Sequence, residues 1–335
     1  MATLYLKEQG TRLGKKDERL IVRRGAEQVE DIPVIKVDRV MVMGWGVQVS
    51  TAALHFLAQR KIPVVFTNTA GTKIGPTLTM GLGDNGALRL AQLRVVDSAA
   101  RALPLVQAIV AGKLANQHTL LTRYGTEWGG IGGRAKATIQ QSQTRVGQTT
   151  DADQARGHEG VGAAAYWAAW VAVLQRPWGF AKRAYYPPPD PLNALLSFGY
   201  TVLLNEVLGV VQSKGLDPFL GFFHTVQHGR PSLALDLEEE FRAVVVDATV
   251  LDLLDAHAVT PADFTQPADK PGAVYAGEGA RKRFVAAYEA RLQTRMRYSP
   301  TGTQETLRRC VGLQVDHLAR VLLGEDAAYQ PFVWN

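Results

Sequence analysis

The densest group of acids in this chain is Asp236-Leu-Glu238-Glu239-Glu240-Phe-Arg242. At about 100° per residue, Leu233, Leu237, Val244, Ala248 and Leu251 draw an apolar stripe along one helix. Asp236 and Glu240 border that stripe, and Glu239 lies about 60° from Asp236. Glu238 falls on what reads as a solvated face with Glu/Arg pairing. Carboxylates at a core boundary can converge on something positive, so this helix is the first place to look for a site. A second acid, Glu159, stands between His158 and Gly160, just before an Ala-rich apolar run. Its position is that of a first-turn carboxylate, where the helix dipole favours negative charge. Composition does not separate that role from catalysis.

His224 and His228 stand four apart in His-Thr-Val-Gln-His, a spacing that would present both rings to zinc from one helical face. No Glu follows His224 to serve as a metalloprotease base, and the lone Cys310 offers no thiolate set, so His228 reads as an ordinary, partly buried histidine. Gly129-Gly-Ile-Gly-Gly133 lacks both the Gly-Lys-Ser/Thr that would follow in a phosphate loop and a strand before it, which leaves flexibility as its reading.

Two kinds of pattern must position these residues. From Thr3 to about Thr79 the chain runs in short β-branched stretches, at Leu4–Leu6, Arg19–Arg23, Ile32–Val37, Arg39–Met43 and Ile62–Thr67. A helix interrupts them after Ser50-Thr51, whose hydroxyls can cap it, with Leu54, Leu57 and Ala58 inward and His55 simply riding on it. Breakers from Gly75 to Gly86 end this region, and the division falls near residue 84. Beyond it, helical periodicity covers Ala87 to about Arg123, Ala163–Leu174, Leu192–Val211, Leu233–Leu254, Gly279–Arg295 and Thr303–Leu323. Tyr124 to about Gly157 and Thr260–Gly272 read as loops. The expected fold is α+β, with a small β-rich domain over 1–84 and a larger all-α domain over 85–335.

The bulk numbers agree with two folded domains: 335 residues, 46% of them hydrophobic. One cysteine makes no internal disulfide, and the first residues lack the charged-then-apolar order of a secretory signal, so a cytoplasmic protein is expected. The apolar run Val161–Leu174 is short of the roughly 20 residues a bilayer span needs and reads as a buried helix, with no membrane partner. A formal net charge of +6 leans toward a polyanionic partner.

Several separated phrases, taken in order, resemble the CRISPR adaptation integrase family, the CRISPR-associated (Cas) proteins numbered one. They are Val47-Gln-Val-Ser-Thr-Ala-Ala-Leu, Ile62-Pro-Val-Val-Phe, the turn Ala70-Gly71, Arg89-Leu-Ala-Gln92 and Ile109-Val-Ala-Gly-Lys113-Leu-Ala-Asn116-Gln117. Glu159-Gly160 ahead of Tyr166-Trp167, Pro191-Leu-Asn193 through Tyr200, and Gly215-Leu-Asp217 through His224 follow. Gly229-Arg230 through Arg242, Tyr288-Glu289 and Arg308 complete the series.

The resemblance implies a metal triad of Glu159, His224 and Glu239, with Asp236 as a nearby second catalytic acid. In some members the third ligand is Asp, and the run of three glutamates leaves Glu239 and Glu240 both open for it. Carboxylates with one imidazole form a mostly hard O/N set suited to Mg²⁺ or Mn²⁺. The activity implied is metal-dependent insertion of prespacer DNA 3′-hydroxyl ends at the leader–repeat boundary of a CRISPR array. The implied assembly is a homodimer joined by the second Cas adaptation protein in a heterohexamer on double-stranded DNA. Arg230 and Arg242 are left either to DNA phosphates or to pairing with the neighbouring glutamates. The competing readings are a stand-alone nuclease on branched DNA and a non-catalytic DNA-binding scaffold.

Overall fold

A computed structural model describes residues 2–60, 62–68, 74–78, 85–174, 176–268 and 270–334. The division expected near residue 84 and the turn Ala70-Gly71 lie outside the described residues. The chain forms two compact units, Met1–Arg89 with Leu208–Asp217, and Leu90–Val207 with Pro218–Asn335.

The first unit is strand-rich. One sheet runs β1 (Ala2–Leu6), β5 (Val37–Met43), β7 (Val64–Thr67), β8 (Ile74–Leu78), with the first three parallel and β8 antiparallel. The other runs β4 (Glu27–Pro33), β3 (Arg19–Arg24), β2 (Thr11–Lys16), β6 (Gln48–Val49). Strand β2 and most of β4 carry too few β-branched residues to stand out by composition, and each exists by antiparallel pairing with β3. Leu4, Leu6, Leu13, Leu20, Val40, Leu57 and Val64 fill the core. Helix α1 (Thr51–Gln59) starts as expected, with Ser50 Oγ accepting the Ala53 N–H at 3.2 Å, and His55 is exposed on it.

The second unit is mostly helical, and of the helices that follow, the start of α2 and the end of α6 fall in the first unit. Helices α2 (Gly86–Val96) and α3 (Ala99–Tyr124) are followed by α4 (Gly129–Val146) and α5 (Ala152–Leu174). The loop expected over 124–157 is therefore corrected: Gly129–Gly133 opens an 18-residue helix. Its buried positions Gly132, Ala135, Ile139, Ser142 and Val146 repeat at three and four residues, a seam of small side chains too faint to read among Gln and Thr. Helix α6 (Pro191–Ser213) is the one described helix long and apolar enough to cross a bilayer, and 67% of its apolar window is buried inside the protein. Val161–Leu174 is helical, although Val161 stays 53% exposed. Then come α7 (Ser232–Phe241), a π-helical turn at Arg242–Asp247, α8 (Ala248–Asp255), α9 (Glu278–Leu292) and α10 (Leu307–Leu323).

Two glycines lie at close contacts of the site-bearing helices. A Cβ on Gly112 of α3 would sit 2.5 Å from Pro331 Cβ and 3.5 Å from Glu240 Cγ on α7. A Cβ on Gly162 of α5 would collide with Leu114 of α3 and lie 3.7 Å from Ser142 of α4. At Gly112 it is Pro331 that a side chain would displace, Glu240 lying at ordinary contact distance, and at Gly162 only the tip of the Leu114 side chain is in the way.

Gly112→Val should therefore lower stability by about 2 kcal/mol through overpacking. Gly157→Ala, where a Cβ meets nothing within 4 Å, should raise it by about 0.5–1 kcal/mol. Urea unfolding of the two variants checks the opposite signs.

Candidate active site

Four segments of the helical unit bring ionisable groups together: α3 supplies Lys113, α5 supplies Glu159, α7 supplies Asp236 and Glu239, and the turn after Gly221 supplies His224. The Lys113 ammonium stands 2.5 Å from Glu159 Oε1 and 2.8 Å from Glu239 Oε2. His224 Nε2 is 3.8 Å from Glu239 Oε1. Arg242 donates from Nη1 to that same Oε1 at 2.6 Å and from Nη2 to Glu238 Oε2 at 2.8 Å.

Asp236 is fully buried and holds the His224 turn in place. Its Oδ2 accepts the N–H groups of Phe222 at 2.6 Å and Phe223 at 3.0 Å. Its Oδ1 accepts the His224 N–H at 2.8 Å and lies 2.7 Å from His224 Nδ1. A carboxylate oxygen is an acceptor, so Nδ1 carries the proton of that contact and Nε2 is left to face Glu239. Asp236 thus orients the ring rather than facing the cluster itself. Arg156 of α5 ties down the same turn by donating to the Phe223 carbonyl at 2.8 Å.

The three adjacent glutamates have different surroundings. Burial pushes Glu239 up, but Arg242, then Lys113 and His224, outweigh it and hold the carboxyl at about 2. Burial, with some help from neighbouring Glu239, pushes Glu238 up to about 7 against Arg242 and, more weakly, His224. Burial pushes Glu240 up to about 8, opposed only by hydrogen bonds from Tyr329 and the Phe332 N–H. Glu240 points away from the cluster: its carboxylate accepts Tyr329 Oη–H at 2.6 Å and Phe332 N–H at 2.7 Å. Lys113 feels burial that favours the neutral amine, yet Glu239 and then Glu159 outweigh it and raise its pKa above the ordinary value.

The sequence reading misplaces three side chains here. Glu159, expected in the first turn of a helix, lies well inside α5, which begins at Ala152. Glu238, expected on a solvated face, is 0% exposed, because Arg242 is drawn inward onto Glu238 and Glu239 together. His228 is exposed, not partly buried, and the segment carrying His224 and His228 is not helical. Residues that the sequence did not single out also line the site. Asp247, beyond the π-helical turn, accepts Tyr200 Oη–H at 2.5 Å and Tyr166 Oη–H at 2.7 Å. The Arg242 guanidinium lies over the Tyr200 ring, 5.0 Å from its centroid. Lys113, Trp167, Arg183, Tyr185, Tyr200 and Glu239 help line a cavity of about 30 Å³. The only sequence trace of Lys113 is its place in the phrase Gly112-Lys113-Leu-Ala-Asn116.

Among the described residues no three His, Cys, Asp or Glu side chains are set to hold a metal ion as they stand. The donor chemistry nevertheless fits a hard divalent cation. Glu159 and Glu239 already share one positive charge, and His224 turns a ring nitrogen toward Glu239 with its other nitrogen held by a carboxylate. Buried Glu239 Oε2 meets Lys113 as a charge, without the angles of a hydrogen bond.

The pattern of the family described as CRISPR associated protein Cas1 matches residues 4–290. The chain belongs to the Cas1 family. A family relative from Thermus thermophilus, CRISPR-associated endonuclease Cas1 3, is 34% identical over 335 residues, spanning 99% of this chain and 97% of the relative. A solved casposase bound to integration product has a TM-score of 0.82 at 21% identity, covering 98% of this chain and 93% of that one. The Cas1 protein TM1797 from Thermotoga maritima gives 0.77 at 22% identity, covering 100% and 99%. A Cas6-RT-Cas1–Cas2 complex also gives 0.77, at 24% identity, covering 99% of this chain and 36% of that one. These structures share the Cas1-family fold seen here, a strand-rich N-terminal region followed by a mostly helical domain.

Glu238→Ala is expected to cost about 3 kcal/mol, because it leaves Arg242 buried with one partner fewer. Asp236→Ala should cost a similar amount, about 3 kcal/mol, by leaving three backbone N–H groups without their acceptor. Thermal and denaturant unfolding of both variants measures this, and a wild-type midpoint for Glu238→Ala would return that residue to the solvated face.

Proposed function

We propose that this chain is a metal-dependent DNA integrase of CRISPR adaptation, with Glu159, His224 and Glu239 holding Mg²⁺ or Mn²⁺. The observation that carries the reading is the convergence of two carboxylates from different helices on one positive charge, with the His224 ring beside them. When bound, a divalent cation polarises a phosphodiester and stabilises the attacking or leaving oxygen, so the protein needs no covalent nucleophile.

The chain's own residues do the rest. Asp236 fixes the His224 ring so that Nε2 faces Glu239. Arg242 keeps Glu239 ionised and pins one of its oxygens. Glu240 serves the framework and is not a ligand in this proposal. The substrate reaction is attack by a prespacer 3′-hydroxyl on a phosphodiester at the leader–repeat boundary, followed by a second attack on the other strand. One bond forms as one breaks, so the joining itself consumes no ATP.

In this reading the protein works in the cytoplasm as a homodimer through its strand-rich N-terminal region, bridged by Cas2 in a heterohexamer on duplex DNA. The Cas1–Cas2 complex among its structural neighbours supports that partner, and the casposase with its integration product supports strand joining. A second reading, hydrolysis of branched DNA with water as nucleophile, draws support from the relative's name as an endonuclease.

A single branched substrate assayed for joined and hydrolysed products separates the two. Joining that dominates in Mn²⁺ supports the integrase, and hydrolysis alone supports the nuclease. DNA effects that persist in chelator would instead favour a scaffold. Glu159→Ala, His224→Ala and Glu239→Ala should each reduce joining about a thousandfold, corresponding to about 4 kcal/mol of lost transition-state stabilisation. Duplex binding should survive in all three and weaken steeply with added salt, since phosphate contacts release counterions.

A further inference from the structure

Lys113 is not a metal-binding residue type, yet its ammonium occupies the centre of the cluster. It touches Glu159 at 2.5 Å and Glu239 at 2.8 Å while only 13% exposed. The other cation of the site, Arg242, is built in differently. Its planar fork spans Glu239 and Glu238 and lies over Tyr200, so moving it would break several contacts together. Lys113 is a compact charge on a flexible stem, and it borders the cavity shared with Tyr185 and Tyr200.

A divalent ion drawn to Glu159 and Glu239 must compete for the oxygen atoms this ammonium already holds. Two cations on the same pair of carboxylates repel each other strongly in a partly buried site. An ordinary buried salt bridge would only fasten α3 to α5 and α7. This one fastens them through the two carboxylates that the proposed function assigns to the ion.

We propose that Lys113 is a resident stand-in for the divalent cation: it holds Glu159 and Glu239 together when no ion is bound, and it must be displaced for an ion to enter. The inference rests on the metal-site reading. Its consequence is that Lys113 sets a threshold on ion affinity while keeping the two carboxylates assembled.

Titration calorimetry of Mn²⁺ into the full chain without DNA tests this on wild type, Lys113→Met and Lys113→Arg. The Met variant should bind Mn²⁺ about tenfold tighter or more, and the Arg variant no tighter than wild type. Equal or weaker Mn²⁺ binding by a folded Met variant overturns the stand-in role while leaving the metal site intact. No Mn²⁺ binding by any of the three proteins overturns the metal-site reading itself. A second measurement needs only the wild type: mass-resolved acetylation of its lysines with and without saturating Mg²⁺. Lys113 should be protected without Mg²⁺ and react faster with it. Protection unchanged by saturating Mg²⁺ would also overturn the proposal.

Discussion

The burial of three consecutive glutamates in one helix is the constraint to which the rest of the helical unit answers. Removing a carboxylate from water costs several kcal/mol, and one opposite charge at about 4 Å returns about 4 kcal/mol at the effective dielectric of such sites. Glu239 has Arg242 and Lys113 within reach and stays ionised, at about 2. Glu240 has hydrogen-bond donors but no cation, and rises to about 8. Glu238 shares Arg242 with its neighbour and rises to about 7. Adjacent residues of one type are thus sorted by their surroundings into a charged ligand candidate, an anchor and a brace.

That sorting depends on close approach. The bare backbone at Gly112 lets Pro331 lie against α3, next to the residue that reaches Glu239. Gly162 of α5 leaves room for the tip of Leu114 of α3, close to the residue that reaches Lys113. On the far side, the segment 329–334 crosses α7. Asn116 donates to the Glu240 and Phe332 carbonyls and accepts the Trp334 N–H, while Phe332 stacks on Phe241 at 4.9 Å. Glu240 is held from that side, and Glu239 is left facing the cluster. The wider turn at 242–247, a form often found at functional sites, sends Arg242 to the glutamates and Asp247 to Tyr166 and Tyr200.

Much of this was legible in the residues. The order of a strand-rich region and then helices followed from periodicity, and the Ser50 cap marked α1. The apolar stripe through Leu233, Leu237 and Val244 located the acidic helix. Glu159, His224 and Glu239 came only with the family resemblance, since each has an unremarkable local reading. Three features stayed hidden for physical reasons. A helix opening on Gly-Gly-Ile-Gly-Gly reads as a breaker until the packing of its small seam is known. Helical angles assume that a face opposite the core is wet, and a helix buried nearly all round, as α7 is, breaks that assumption for Glu238. Lys113 is chemically informative only beside Glu159 and Glu239, residues 46 and 126 positions away in the chain.

In the proposed function Glu159, His224 and Glu239 form one cation site and Glu240 is not part of it. The anomalous scattering of Mn²⁺ in crystals of this protein tests that claim most directly. The account predicts a single strong peak bounded by the Glu159 and Glu239 carboxylates and His224 Nε2, with the Lys113 ammonium withdrawn from at least one carboxylate. A peak on Glu240 or Asp236, or ordered Mn²⁺ elsewhere with Lys113 still bridging Glu159 and Glu239, would contradict it.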